Sequence, residues 1–215
     1  TMLIADIIES GYAVTLFCRP RRFGKTLNMT MLKAFFELPG TDIRMRDTAP
    51  LFEGTRVWEA EGGKYRAYQG AYPVVHISFN TVKKLDWPAA LGAVRSLMAQ
   101  EYISHECLRN SPALSEEDHA YFRRVAAMTA EPEEFVDSLT RLCSMLHRHF
   151  DKPVVLLVDE YDAPVMAGYT NGYYREVVDF LKGWLTGTLK DGGASLAFAC
   201  LTGVQRITKE SIFSD

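Results

Sequence analysis

Long apolar runs are missing from this 215-residue sequence, and none reaches the ~20 residues needed to cross a bilayer. Cysteine is scarce: Cys18, Cys107, Cys143 and Cys200 are widely spaced, with no C-x-x-C pair. The five histidines form no ligand pattern with them, so a metal site of the zinc type is not expected. Buried free thiols in a reducing cytoplasm are the expectation. Neither sign of charge dominates, with 24 Lys and Arg against 27 Asp and Glu. A net charge of −3 argues against a surface devoted to nucleic acid. No signal peptide, internal repeat, low-complexity stretch or guanine-reading motif is visible. What remains is an ordinary globular composition, 47% hydrophobic and 24% charged. It suits one large domain, or one domain with an inserted helical part.

The single dense basic cluster is informative. Arg19-Pro20-Arg21-Arg22-Phe23-Gly24-Lys25-Thr26 follows the apolar run Ala13–Cys18 and precedes Leu27–Phe36, which has apolar residues at helical spacing. Buried strand, tight loop and amphipathic helix in that order form the layout of a phosphate-binding loop. Free N–H groups at a helix start face an anion, and the helix dipole adds partial positive charge. Lys25 would reach the β- and γ-phosphates, and the Thr26 hydroxyl would hold Mg²⁺. The usual pattern has Gly where this chain has Arg19, so either the loop is shaped differently or Pro20 sets its conformation. The same residues also fit a basic surface turn capping a helix.

Other segments read in order. An opening helix over Met2–Glu9 stops at Ser10-Gly11. Residues 41–72 read as a loop-rich insert whose aromatics pin it to the body, with a lid as the sharper alternative. Pro73–Phe79 is a second strand, with Asn80 and Thr81 at its end as candidates for facing a cleft. Residues 86–150 read as helices: one over about 87–105, one capped by Ser115 and Asp118, and one from Pro132 through His147. Lys152–Asp162 is the second informative stretch. Five apolar residues run into Asp159 and Glu160, so a buried strand delivers two carboxylates to a sheet edge. One can support a hydrated Mg²⁺, and the other can polarise a water for attack on a γ-phosphate. Ala163–Thr170 reads as a connector, 173–190 as a helix and Ser195–Leu201 as a buried strand closed by Thr202-Gly203. Thr202 is a candidate to sense the γ-phosphate, and Arg206 to supply charge to it. Arg206 equally suits a surface salt bridge. Alternating strands and helices predict an α/β sandwich around a mainly parallel sheet. The chain starts inside a helix and stops abruptly at Ser214-Asp215, so a fragment of a longer protein is expected.

Together, Val14–Leu27, Val158-Asp159-Glu160-Tyr161-Asp162 and Thr202-Gly203-Val204-Gln205-Arg206-Ile207 resemble the predicted AAA-ATPase-like domains of bacterial proteins. In that family the loop typically reads R-P-R-R-F-G-K-[ST]-L, so Arg19 is the family's own form. The resemblance implies a P-loop NTPase sandwich of the additional-strand class, with the sensor strand between the loop strand and the acidic strand. It also implies ATP and Mg²⁺ as cofactors. Residues Arg19, Pro20, Arg21, Arg22, Phe23, Gly24, Lys25, Thr26 and Leu27 would cradle the nucleotide, Thr26 and Asp159 would serve the metal, and Glu160 would activate water. Members often continue into a nuclease-like domain of the PD-(D/E)XK type, which this chain lacks. One further strand usual after the sensor strand is not found before Asp215, and truncation is expected.

Three functions compete. An ATPase would use Lys25, Thr26, Asp159 and Glu160, assisted by Thr202 and Arg206. A nucleotide-gated switch would bind ATP with little turnover. A nucleic-acid module would use Arg19, Arg21 and Arg22, although nucleic acid suits the absent downstream part better. ATP is the expected partner, self-association is left open, and no membrane partner is expected.

Overall fold

The structure is a computed structural model that describes residues 1–43, 47–191 and 195–205. Its first helix, α1 (Leu3–Ser10), stops at Gly11, whose φ of 61° is left-handed. Strand β1 (Val14–Cys18) then feeds the loop and α2 (Lys25–Phe36). An irregular stretch follows, with the short helix α3 (Arg56–Glu59) and 3-10 turns around it. Phe52, Val57 and Tyr65 of this stretch are buried in one cluster with Phe35 and Phe36 of α2. Its aromatics therefore pin it to the body, as the sequence suggests.

Strand β2 (Val74–Ser78) is followed by four helices: α4 (Trp87–Ser104), α5 (Glu116–Ala126), α6 (Pro132–Phe135) and α7 (Ser138–Phe150). The box expected at Ser115 and Asp118 is present in both directions. The single helix expected from Pro132 is two, because the α-helix is interrupted at Val136 and Asp137. Strand β3 (Val154–Asp159) leads to α8 (Ala163–Asn171), α9 (Tyr174–Thr186) and β4 (Leu196–Gly203).

Three expectations need correction. Ala163–Thr170 is a helix, not a connector. Pro164 sits in its first turn, where a missing N–H costs nothing. Gly168 is there for space, since a Cβ on it would stand 2.7 Å from Val177 Cγ1. The helix expected to reach Lys190 is α-helical only to Thr186, and a π-turn takes over at Gly187–Asp191. The last strand also runs further than expected, because Thr202 and Gly203 belong to it. Their carbonyls accept from Tyr161 N (3.0 Å) and Arg19 N (3.1 Å), which prolongs the ladder on both sides.

Among the described residues four strands form one sheet, all parallel, in the order β1-β4-β3-β2. Strand β4 therefore lies between the loop strand and the acidic strand. Every residue of β3 is buried. Alternate side chains divide between two cores, as the two-residue period of a strand requires. Val154, Leu156 and Val158 join the cluster around α4, α7 and α9, while Val155 and Leu157 join that of α1 and α2. Helices thus cover both faces. Because the strands are parallel, β1 and β3 end at the same edge. Registers Cys18↔Gly203 and Ser78↔Asp159 set that edge.

Candidate functional site

Local geometry of the loop shows how Arg replaces Gly at its start. Positive φ falls on Arg22 (69°) and Gly24 (70°), not on Arg19. Arg19 needs no glycine-like freedom, and its N–H is tied to β4. Left-handed backbone at Arg22 costs about 1–2 kcal/mol, a strain held at the loop tip. Gly24 bears the same conformation without a Cβ penalty and turns the chain into α2. No side chain caps α2, so its first-turn N–H groups remain open to an anion.

Lys25 Nζ donates to the carbonyls of Arg19 and Pro20, at 3.0 Å each. The ammonium is thus folded back onto its own loop. One residue on, Thr26 Oγ1 donates to Asp159 Oδ2 at 2.7 Å across 133 positions of sequence. Asp159 is buried and accepts two further bonds at Oδ1, from the Thr202 hydroxyl and from Glu160 N (3.0 Å). Its carboxylate therefore locks α2, β3 and β4 together. Glu160 follows with a φ of 52°, so the chain turns sharply as it leaves the strand. Its Oε2 meets Lys83 Nζ at 2.9 Å.

Asp162 secures the other wall. Its Oδ2 accepts from Val204 N and Gln205 N, both at 2.9 Å. Tyr161 is buried and donates its hydroxyl to Gln205 O at 2.9 Å. Gly203 is required here, since a Cβ would stand 2.7 Å from Tyr161 Cε1.

These elements frame a cleft of about 1140 Å³. Pro20, Arg21, Arg22, Gly24, Lys25, Thr26 and Leu27 line one side, and Glu160, Asp162 and Lys83 the other. Arg19, Phe23 and Thr202 line a neighbouring hollow of about 370 Å³. Lys25, Thr26, Asp159, Glu160 and Thr202 thus gather at one rim of the sheet. Arg206 lies outside the described residues. Asn80 and Thr81 do not line the cleft; Lys83, Lys84 and Leu85 take that place. Sequence reasoning missed Lys83, Tyr161 and Asp162. An acid two residues beyond Glu160 was a visible signal for Asp162, whereas Lys83 looks like any surface lysine.

The donor set at Thr26 and Asp159 is hard oxygen, a hydroxyl beside a carboxylate. It fits an Mg²⁺ that keeps most of its waters and takes few protein ligands. Among the described residues no group of three or more His, Cys, Asp or Glu could cage a metal. No described helix is long and apolar enough to cross a membrane.

A parallel sheet with helices on both faces, in which a strand, a basic glycine loop and an uncapped helix follow one another, makes this a P-loop-like α/β sandwich. The particular family is the AAA-ATPase-like one, described as a predicted AAA-ATPase; its match spans residues 1–213, and the chain belongs to it. A curated relative, an uncharacterized protein in the vnfD 5′ region of Azotobacter chroococcum mcd 1, is 31% identical over 211 residues. That alignment covers 97% of this chain and 34% of the relative, so the chain spans about a third of that protein's length. No solved structure matches the chain.

Proposed function

We propose that this chain binds ATP with Mg²⁺ and hydrolyses its γ-phosphate. The observation that carries the reading is the Thr26–Asp159 contact of 2.7 Å, which joins the loop to the acidic strand at one rim. Lys25 exchanges its two loop carbonyls for β- and γ-phosphate oxygens, and the open N–H groups of α2 hold the rest of the phosphate chain. Thr26 and Asp159 hold the Mg²⁺, which supplies charge neutralisation to the phosphates when bound. Glu160 accepts the proton of the attacking water, and Thr202 keeps Asp159 oriented through its hydroxyl.

Nucleotide titration with Mg²⁺ on wild type and Lys25→Ala tests this. Binding by wild type and its loss in the variant are expected. Equal ATP affinity in the two proteins refutes it. Glu160→Gln is expected to bind normally and lose turnover.

A nucleotide switch with little turnover has one observation in its favour. Glu160 is already engaged by Lys83 at 2.9 Å, an ion pair that would have to loosen before the carboxylate could act as a base. Rapid multiple turnover by the wild-type protein removes this second reading.

A further inference from the structure

The hollow of about 370 Å³ next to the loop has walls unlike those of the main cleft. It falls within the range of small-ligand sites, roughly 300–1,000 Å³. Leu3, Phe17 and Met29 supply apolar wall, and Phe23 adds an aromatic ring that is 65% exposed. Arg19, Lys25 and Thr202 also line it; the two remaining polar residues are Asp6 of α1 and Asn28 of α2. Both residues are exposed, and neither side chain has a hydrogen bond or ion pair among the described residues.

Position in the sheet gives the hollow a direction. Asp159, Glu160 and Lys83 belong to the β3 and β2 side of the loop, and none of them lines the hollow. Its walls come from α1, β1, the loop and α2, together with Thr202 of β4, on the β1–β4 side of the sheet. If Glu160 faces the γ-phosphate, the phosphate chain runs from the acids back across the loop. The nucleoside must then leave on the β1 side, where the hollow begins. Leu85 and Met166 also offer apolar surface, but they lie in the cleft with Glu160. A base placed there would require the reverse orientation.

We propose that this hollow is the base slot of the nucleotide site, selective for a purine with an exocyclic amine at its 6-position. The inference rests on the nucleotide reading given above. The base stacks on Phe23, since every base has a π-face for an aromatic ring. Asp6 accepts a hydrogen bond from the 6-amine, and the Asn28 amide pairs with the adjacent ring nitrogen, as amides do on adenine edges. A 6-oxo purine would set a carbonyl oxygen against the Asp6 carboxylate, with no proton between them. That mismatch rejects it.

Binding of ATP, inosine triphosphate and inorganic tripolyphosphate, each with Mg²⁺, to wild type, Asp6→Ala and Asn28→Ala tests the slot. Wild type is expected to favour ATP over inosine triphosphate by about tenfold or more. Asp6→Ala abolishes most of that preference, and Asn28→Ala weakens ATP by roughly tenfold. Tripolyphosphate affinity stays at the wild-type value in both, which also reports that they are folded. An unchanged preference in both variants overturns the slot while leaving the phosphate loop standing. A wild type that binds none of the three, tripolyphosphate included, overturns the nucleotide reading and the slot with it.

Discussion

The two ends of α2 handle charge in opposite ways. At its N-terminus, Lys25 and Thr26 open on a wide cleft, and the Lys25 ammonium rests on two backbone carbonyls. Such bonds are replaceable, because a phosphate oxygen can take over from a carbonyl without leaving a buried group unpaired. Two to three turns on, Lys33 is buried and meets Asp42 at 2.6 Å and Glu37 at 3.8 Å. Glu101 of α4 and His105, which caps that helix, complete that region, 3.3 Å apart and both buried. Glu101 also accepts from His76 N at 2.9 Å, and His105 Nδ1 lies 3.0 Å from Thr41 O. Here no water can substitute for a lost partner. One end is built to exchange partners, and the other is built to keep them.

Lys33→Met should show this with the largest effect. It removes the ammonium that lies 2.6 Å from the buried Asp42 carboxylate and 3.8 Å from Glu37, and breaking a buried pair typically costs about 3–5 kcal/mol. Denaturant unfolding is the measurement, and a loss below about 1 kcal/mol would erase the distinction between the two ends. Lys25→Met is the counterpart. Stability should fall by no more than about 1 kcal/mol, because the two carbonyls it bonds are exposed and water can replace the ammonium there. Nucleotide affinity should fall by about a hundredfold, the scale of a lost charge-assisted phosphate contact. A variant that binds well but unfolds easily would invert the comparison.

Lys83→Ala probes the open end more finely. Removing the ammonium frees the Glu160 carboxylate from its 2.9 Å ion pair. The pair is partly exposed, so stability should change by less than about 1 kcal/mol. Steady-state phosphate release should rise about two- to fivefold if Lys83 restrains the base, from a pair of that strength. A fall in turnover with unchanged ATP affinity would instead make Lys83 part of the hydrolytic arrangement.

The open end was legible in the sequence, and the sealed end was not. Gly24-Lys25-Thr26 after an apolar strand, and Asp159-Glu160 after another, announce themselves because strand ends in a parallel sheet share one edge. The strand β4 was legible as an apolar run between a Gly-Gly turn and Thr202-Gly203. Helix α8 was missed because Pro164 and Gly168 resemble breakers, although one sits in a first turn and the other serves a close approach by Val177. The charged cluster left no local signature. Lys33 looks like the polar face of an amphipathic helix, and Glu101 and His105 look like solvated residues at the end of α4. Only the meeting of the end of α4 with β2 and the 37–43 segment, beside the end of α2, buries them, and no periodicity in a single sequence encodes that meeting. Lys83 was invisible for the same reason, since its partner is 77 positions away.

Glu37→Gln should have the smallest effect near pH 5, and its reason sharpens the picture of the sealed end. Burial pushes the Glu37 carboxyl up to about 8, against the attraction of Lys33, whose charge is engaged more closely by Asp42. One of its oxygens finds no hydrogen-bond donor, which fits a neutral acid. Glu101 goes the other way: burial would raise it, but the hydrogen bond and charge of His105 bring it down to about 2. Between 4.5 and about 8 the folded state therefore holds a proton on Glu37 that the unfolded chain has released. Stability contributed by Glu37 is present in full below pH 4.5 and declines as pH rises toward 8. Gln mimics the protonated acid at every pH, so the variant should match wild type near pH 5 and gain on it steadily toward pH 8. Glu101 has the opposite sign, with stability that disappears as pH falls from 4.5 toward 2. Urea unfolding of both proteins at several pH values between 5 and 8.5 separates the two contributions. Parallel stability curves for wild type and Glu37→Gln would mean that Glu37 is ionised in the fold, held by Lys33 after all.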